Sequence, residues 1–280
     1  MEQLNGKVAV ITGGASGIGF ALGRAFASEG MKVVLADIET DALEVAGKEL
    51  AGSGAEVHTV VCDVGDSEAV DLLRDETVEA FGTAHVVCNN AGVGGGGPSW
   101  EVPLATWHWV VNANLWGVVH GIRSFVPLLL EQGEGHVVNT ASAAGFLTVP
   151  YMGPYTATKH AVVAITEGLS MELELAGGAV GASVLCPLWV RTRIHECDRN
   201  APADVLAAAQ AEYLGTVDMR AVITALVEGG LAPEVVAGQV VEAVKGRRFY
   251  VLPHSEVKAA VLARAERIAN DEGPQLSVPS

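Results

Sequence analysis

Short apolar runs rich in valine alternate with amphipathic stretches along most of this chain. Residues 7–12 (KVAVIT), 32–37 (KVVLAD), 56–64 (EVHTVVCDV), 85–92 (HVVCNNAG), 136–142 (HVVNTAS) and 181–187 (GASVLCP) are largely unbroken apolar segments. Between them lie helical patterns at 17–29, 40–51, 67–81, about 103–132 and about 152–176. Runs without in/out alternation predict strands buried on both faces. Their strict alternation with helices predicts an α/β fold, a doubly wound parallel sheet with helices on both faces and right-handed crossovers. No repeat or linker divides the chain, so residues 1–253 read as one dinucleotide-binding and catalytic domain, with a last strand at 247–252 (RRFYVL). Residues 188–232 break the alternation just beyond a strand's carboxyl end, where open α/β sheets bind ligands. They are expected to form a substrate lid with an Ala-rich helix near 202–214, hinged at Gly215, Gly229 and Gly230. Residues 254–280 read as a tail. Its apolar stripe of Val257, Val261, Leu262, Ala265 and Ile268 predicts a helix over 256–270 that docks on the body or a neighbouring subunit, and residues 273–280 read as frayed.

Composition narrows the function. Half of the 280 residues are hydrophobic, enough for a large core, and the net charge is −16. Such a field repels phosphate backbones, so nucleic acid is not an expected partner. No unbroken apolar stretch approaches the ~20 residues of a membrane span, and the N-terminus lacks a signal-peptide pattern. Cys62, Cys88 and Cys186 end strand-like runs, and Cys197 lies in a loop. With no CxxC and no metal-ligand spacing, these read as reduced thiols in a cytoplasmic protein, and no metal site is expected.

Two local patterns carry chemistry. The first is TGGASGIG, Thr12 to Gly19, between a strand and a helix. Glycines at 13, 17 and 19 let the backbone turn and approach a pyrophosphate at the helix N-terminus. The spacing is GxxxGxG, not GxGxxG. Asp37 ends the next strand, where a carboxylate would bind ribose hydroxyls and repel a 2′-phosphate. No basic residue follows it, only Ile38, Glu39 and Thr40, and Ser16 in the loop is uncharged. NAD(H) is therefore the expected cofactor. The second pattern is Tyr155 and Lys159, four apart on one helix face. An ammonium there favours the phenolate and predicts a lowered tyrosine pKa. A nucleotide loop with such a tyrosine suggests hydride transfer to or from a carbonyl.

Together these residues resemble the short-chain dehydrogenase/reductase family over roughly residues 5–192. TGGASGIG, with Ser16, Ile18 and its glycines, looks like the family's cofactor loop, followed by Asp37 and Ile38. Cys62-Asp63-Val64 looks like its adenine-contacting turn, and Asn90, Ala91 and Gly92 fall in its NNAG element. The resemblance implies four catalytic residues. Tyr155 is the acid/base. Lys159 tunes it and binds the nicotinamide ribose. Ser142 donates to the substrate oxygen, and Asn114 holds a water that links Lys159 to solvent. In PLWVRT, Pro187, Val190 and Thr192 match the segment that holds the nicotinamide carboxamide, but Leu188 stands where the family usually has glycine. The helices at 103–132 and 152–176, and the last strand near Phe249 and Val251, look like the family's interfaces and imply a homotetramer, with a dimer as runner-up.

The expected activity is therefore NAD-dependent interconversion of a secondary alcohol and its ketone. The alternatives are an NADPH-linked carbonyl reductase and a non-catalytic NAD-binding sensor. Leu147, Val149, Met152, Leu188, Trp189, Ile194, Leu206, Tyr213 and Leu214 are expected to line a pocket for a small apolar alcohol or ketone. Arg191, Arg193 and Arg199 leave an acidic group on it open. Gly94 to Gly97 read as a mobile loop, His195 as a lid or surface residue, and Trp107 and Trp109 as packing or interface residues.

Overall fold

The structure is a computed structural model that describes residues 1–209 and 219–275. Among these, seven strands form one parallel sheet: β1 Val8–Thr12, β2 Lys32–Asp37, β3 Val57–Val61, β4 Val86–Asn89, β5 Gly135–Thr140, β6 Val180–Leu185 and β7 Tyr250–Val251. Their order is β3-β2-β1-β4-β5-β6-β7. The chain steps from β1 to β2 in one direction and to β4 in the other. The carboxyl ends of β1 and β4 therefore flank a topological switch point, where a crevice opens.

Helices α1 (Gly17–Ser28) and α2 (Thr40–Gly52) cover one face, α3 (Ser67–Phe81) the other. On that second face α4 (Leu104–Val111) runs through Asn112–Trp116 into α5 (Gly117–Gln132), and α6 (Gly153–Leu175) lies alongside. After β6 come α7 (Ala203–Ala209), α8 (Met219–Glu228) and α9 (Pro233–Lys245), and α10 (Glu256–Ala269) ends the fold. Each face of the sheet supports its own core, because unbroken apolar strands present side chains both ways. Ile11, Val33 and Leu35 pack with Phe26, Leu50 and Val240 on the α1–α2–α9 side. Val10, Val34 and Val87 pack with Leu73, Phe125 and Leu129 on the other.

Four expectations need correction or extension. Helix α9 was not foreseen, although Pro233 at its start and buried Val236, Val240, Val241 and Val244 give it a clear inner face. The run Leu104–Gln132 is long and apolar enough to cross a membrane, contrary to the reading from unbroken apolar stretches. Val110, Val118, Phe125 and Leu129 on it instead pack into the domain. Asn114 sits in a π-helical turn, Asn112–Trp116, rather than in regular α-helix. Helix α10 matches the expected tail helix, but only Val257 of its stripe is buried, while Leu262 and Ile268 are 65% and 58% exposed. Tyr213, Leu214, Gly215 and the end of the predicted 202–214 helix lie outside the described residues, as do the last five residues of the tail.

Candidate active site

The glycine loop leaves no room for a side chain at positions 13 and 19. A Cβ on Gly19 would sit 1.9 Å from the Gly13 carbonyl oxygen, and one on Gly13 would meet the Ala91 Cα at 2.9 Å. Gly13 and Gly17 have φ of 65° and 54°, the left-handed region that glycine occupies freely. Strand β1 ends in Thr12, whose hydroxyl accepts from the amides of Asn90 (2.9 Å) and Ala91 (3.1 Å). Asn90 returns a bond from Nδ2 to the Thr12 carbonyl (3.0 Å) and accepts from the Thr140 hydroxyl (3.3 Å). These bonds lash the ends of β1, β4 and β5 together beneath the cleft.

At the end of β2, Asp37 accepts from the Ala15 amide at Oδ2 (3.0 Å) and from the Glu39 amide at Oδ1 (3.1 Å). Burial raises its pKa, and the two amides offset only part of that rise. Gly13, Ser16, Gly17, Ile18, Gly19, Asp37, Ile38, Asp63, Val64, Asn90, Ala91 and Gly92 all line one cleft. Tyr155, Lys159, Ser142, Pro187, Val190 and Thr192 line the same cleft. Its volume is about 2060 Å³, roughly twice the upper end of a drug-sized pocket. There is room for a dinucleotide and a second molecule.

At the other end, the start of α6 presents Tyr155 and Lys159. Lys159 Nζ donates to the Thr140 carbonyl (3.0 Å) and lies 5.5 Å from the Tyr155 ring centroid. Burial drives the lysine pKa down to about 8. Burial also pushes Tyr155 upward, with the Ser142 hydroxyl beside it pulling the other way. This corrects the expectation of a lowered tyrosine. Desolvation disfavours the charged form of both partners, and it is the largest cause of the shift in each.

Ser142 Oγ accepts from the Ala144 amide (3.1 Å) and donates to the Pro187 carbonyl (3.3 Å), which fixes it at the end of β5. Asn114 does not line the cleft. It is buried behind it, with Oδ1 accepting from Val93 N (2.7 Å) and Nδ2 donating to Val93 O (2.9 Å). The space over Gly92 joins it to the lysine: a Cβ there would lie 2.9 Å from Asn114 Oδ1 and 3.6 Å from Lys159 Nζ. The π turn brings this asparagine to the backbone of Val93; π turns inside α-helices often mark functional sites.

Every expected pocket residue that the structure describes lines the cleft: Leu147, Val149, Met152, Leu188, Trp189, Ile194 and Leu206. Trp109, His195 and Trp100 line it as well, so Trp109 is more than packing. Trp189 Nε1 and His195 Nδ1 are buried with no hydrogen-bond partner among the described residues. Of the three arginines, Arg193 is paired with Glu196 and Arg199 with Glu39, while Arg191 is exposed. The glycine run is held rather than free. Gly97 N donates to the Tyr151 carbonyl (2.7 Å), and Gly94 N lies 3.2 Å from Cys197 Sγ. Gly96 leaves only 2.0 Å between a Cβ and the Tyr151 oxygen. Burial raises the pKa of Cys62 and of Cys186 to about 12, so both thiols stay protonated near neutral pH.

A parallel sheet with a glycine cradle at its switch point, and a tyrosine, lysine and serine at the far end of the same cleft, defines a dinucleotide-dependent oxidoreductase. The short chain dehydrogenase family matches residues 7–203, and the chain belongs to that family. A short chain dehydrogenase/reductase from Burkholderia phymatum, solved in complex with NAD, is 43% identical and covers 99% of both chains, with a TM-score of 0.94. The 1-deoxy-11-beta-hydroxypentalenate dehydrogenase of Streptomyces avermitilis is 46% identical over 74% of this chain and 78% of its own length. The C alpha-dehydrogenase of a Sphingobium species is 34% identical over 100% of this chain and 90% of its own.

Proposed function

We propose that this protein is an NAD(H)-dependent oxidoreductase that interconverts a secondary alcohol and its ketone. The carrying observation is the joining of two half-sites in one cleft. Asp37 and the glycine cradle fit an adenosine ribose and pyrophosphate, and Tyr155 with Ser142 stands where a substrate oxygen would react. When bound, the nicotinamide supplies or takes the hydride. Val190 and Thr192 would hold its carboxamide, and Lys159 its ribose. The Tyr155 hydroxyl gives its proton to the substrate oxygen in reduction and takes it back in oxidation, a contribution of about 10²–10⁴-fold. Ser142 donates to the same oxygen and stabilises its developing charge. Lys159, uncharged above about pH 8, is placed to pass protons onward past Asn114.

The lining favours a mainly apolar substrate of moderate size. Leu188 adds apolar bulk to the cleft lining beside Trp189. Four free cysteines suit a reducing, cytoplasmic setting. We expect a homotetramer, with a dimer second, and light scattering at micromolar concentration would overturn this by returning a monomer. For the activity, the decisive experiment is a panel of apolar secondary alcohols and ketones followed by NADH absorbance. Turnover with NAD(H), and little with NADP(H), is the expected result. Tight NADH binding with no turnover across the panel would instead favour a sensor.

A further inference from the structure

His254 is the first residue after the span assigned to the domain, yet it reaches back to the cleft. The residue is buried, 8% exposed. Its Nδ1 accepts from the Leu188 amide (3.1 Å), and its Nε2 faces the Trp189 carbonyl (3.0 Å). An amide N–H can only donate, so Nδ1 carries no proton and Nε2 donates. His254 is thus held as the neutral Nε2–H form. The Trp189 carbonyl also accepts from Leu231 N (2.9 Å), and Arg191 N donates to Leu231 O (2.9 Å). Gly230 passes so close that a Cβ would lie 2.5 Å from the Trp189 carbonyl. The backbone from Leu188 to Arg191 is therefore clamped from two sides.

That backbone leads directly into Val190 and Thr192. Thr192 packs on the glycine loop, its Cγ2 3.0 Å from where a Gly17 Cβ would be. We propose that His254 is a positioning residue for the nicotinamide end of the cleft: it fixes the Leu188–Trp189 peptide, and through it the segment that would hold the carboxamide. This rests on the reading of the cleft as an NAD(H) site.

The test compares NADH with ADP-ribose, which keeps the adenosine and pyrophosphate but lacks the nicotinamide. In His254→Ala, ADP-ribose affinity should stay at the wild-type value while NADH affinity falls about tenfold, the loss expected for two neutral hydrogen bonds. His254→Gln keeps one acceptor and one donor at similar spacing and should recover most of the NADH affinity. Equal loss of both ligands in both variants, or no loss of either, overturns the proposal. If the alanine variant does not fold, His254→Leu, which fills the space but makes neither hydrogen bond, takes its place. It must show the same selective loss of NADH affinity with ADP-ribose unchanged, and the proposal fails otherwise. Wild-type protein that binds neither ligand would refute the NAD(H) reading itself, a result distinct from any of these.

Discussion

Glu39 and Arg199, 160 positions apart in the chain, meet at the rim of the cleft: Arg199 Nε donates to Glu39 Oε1 at 3.0 Å. Asn200 Nδ2 donates to the same oxygen at 2.9 Å, and the Arg199 guanidinium also caps the carbonyls of Arg193 (3.1 Å) and Glu196 (3.0 Å). The loop after β2 is thereby tied to the 3₁₀ turn Ile194–Asn200. Both partners are known cleft-lining residues, so the tie restrains the walls between which a cofactor would pass.

Arg199→Met should accordingly speed NADH release several-fold in stopped-flow fluorescence, while the melting temperature moves by only about 1–3 °C. The small stability effect follows because a rim ion pair contributes about 0–1 kcal/mol. Arg199 and Asn200 hold the Glu39 carboxyl below its usual value of 4.5. A depressed carboxylate stabilises the fold above its unfolded pKa and loses that contribution as pH falls through the folded one. The difference in stability between wild type and variant should therefore shrink as pH falls from 4.5 through the lower folded value. Unchanged release rates would remove the latch from the account.

Cofactor choice should turn on Asp37. Its two oxygens are engaged by Ala15 and Glu39 amides, so it both shapes the glycine loop and presents negative charge at the end of β2. Asp37→Ala with Ile38→Arg should lower kcat/KM for NAD+ by about tenfold or more and raise it for NADP+. Wild-type protein that used both cofactors with equal efficiency would sink this assignment.

The glycine cradle makes a paired prediction. Gly19→Ala forces a methyl to within 1.9 Å of backbone, whereas Gly52, at the end of α2, has open space around its Cβ position. Gly19→Ala should destabilise by about 1–3 kcal/mol and abolish NADH binding. Gly52→Ala should stabilise by about 0.5–1 kcal/mol and leave binding intact. Chemical denaturation with an NADH titration on both variants separates the two outcomes.

Local pattern made much of this legible. The strand–glycine–helix sequence around Gly13–Gly19 and the i, i+4 pair Tyr155 and Lys159 carry their geometry in a few consecutive residues. So do the apolar runs that became β1 to β6. What could not be read depends on chain segments that meet only after folding. Glu39 finds Arg199, and His254 finds Leu188, across 160 and 66 positions. The upward shift of Tyr155 was hidden for the same reason. Spacing shows that a lysine is near, but only packing reveals that burial dominates the shift. Helix α9 was readable from the Val236, Val240, Val244 spacing, and the clamp at Gly230 was not.

The last prediction sets function against stability at Lys159. Its ammonium is buried, 4% exposed, with the Thr140 carbonyl as its hydrogen-bond partner. Its pKa falls from 10.5 in the unfolded chain to about 8. Because the folded pKa is the lower one, the unfolded chain holds more protons between these values, and stability rises with pH across that window. Below about pH 8 the whole cost is present, on the order of 3 kcal/mol. Lys159→Met removes the buried charge, so at pH 7 the variant should melt at least about 2 °C higher than wild type, and the gap should shrink toward pH 10. Turnover should meanwhile collapse, by about 10²-fold or more, because the proton route beside Tyr155 is lost. Tyr155→Phe should be equally inactive yet keep NADH affinity near the wild-type value, since it removes only the acid/base oxygen. A Lys159→Met protein that melts lower at pH 7 than at pH 10 relative to wild type would show that the lysine is a stabilising element rather than a catalytic cost. A Tyr155→Phe protein that keeps most of its kcat would take the proton-transfer role away from the tyrosine.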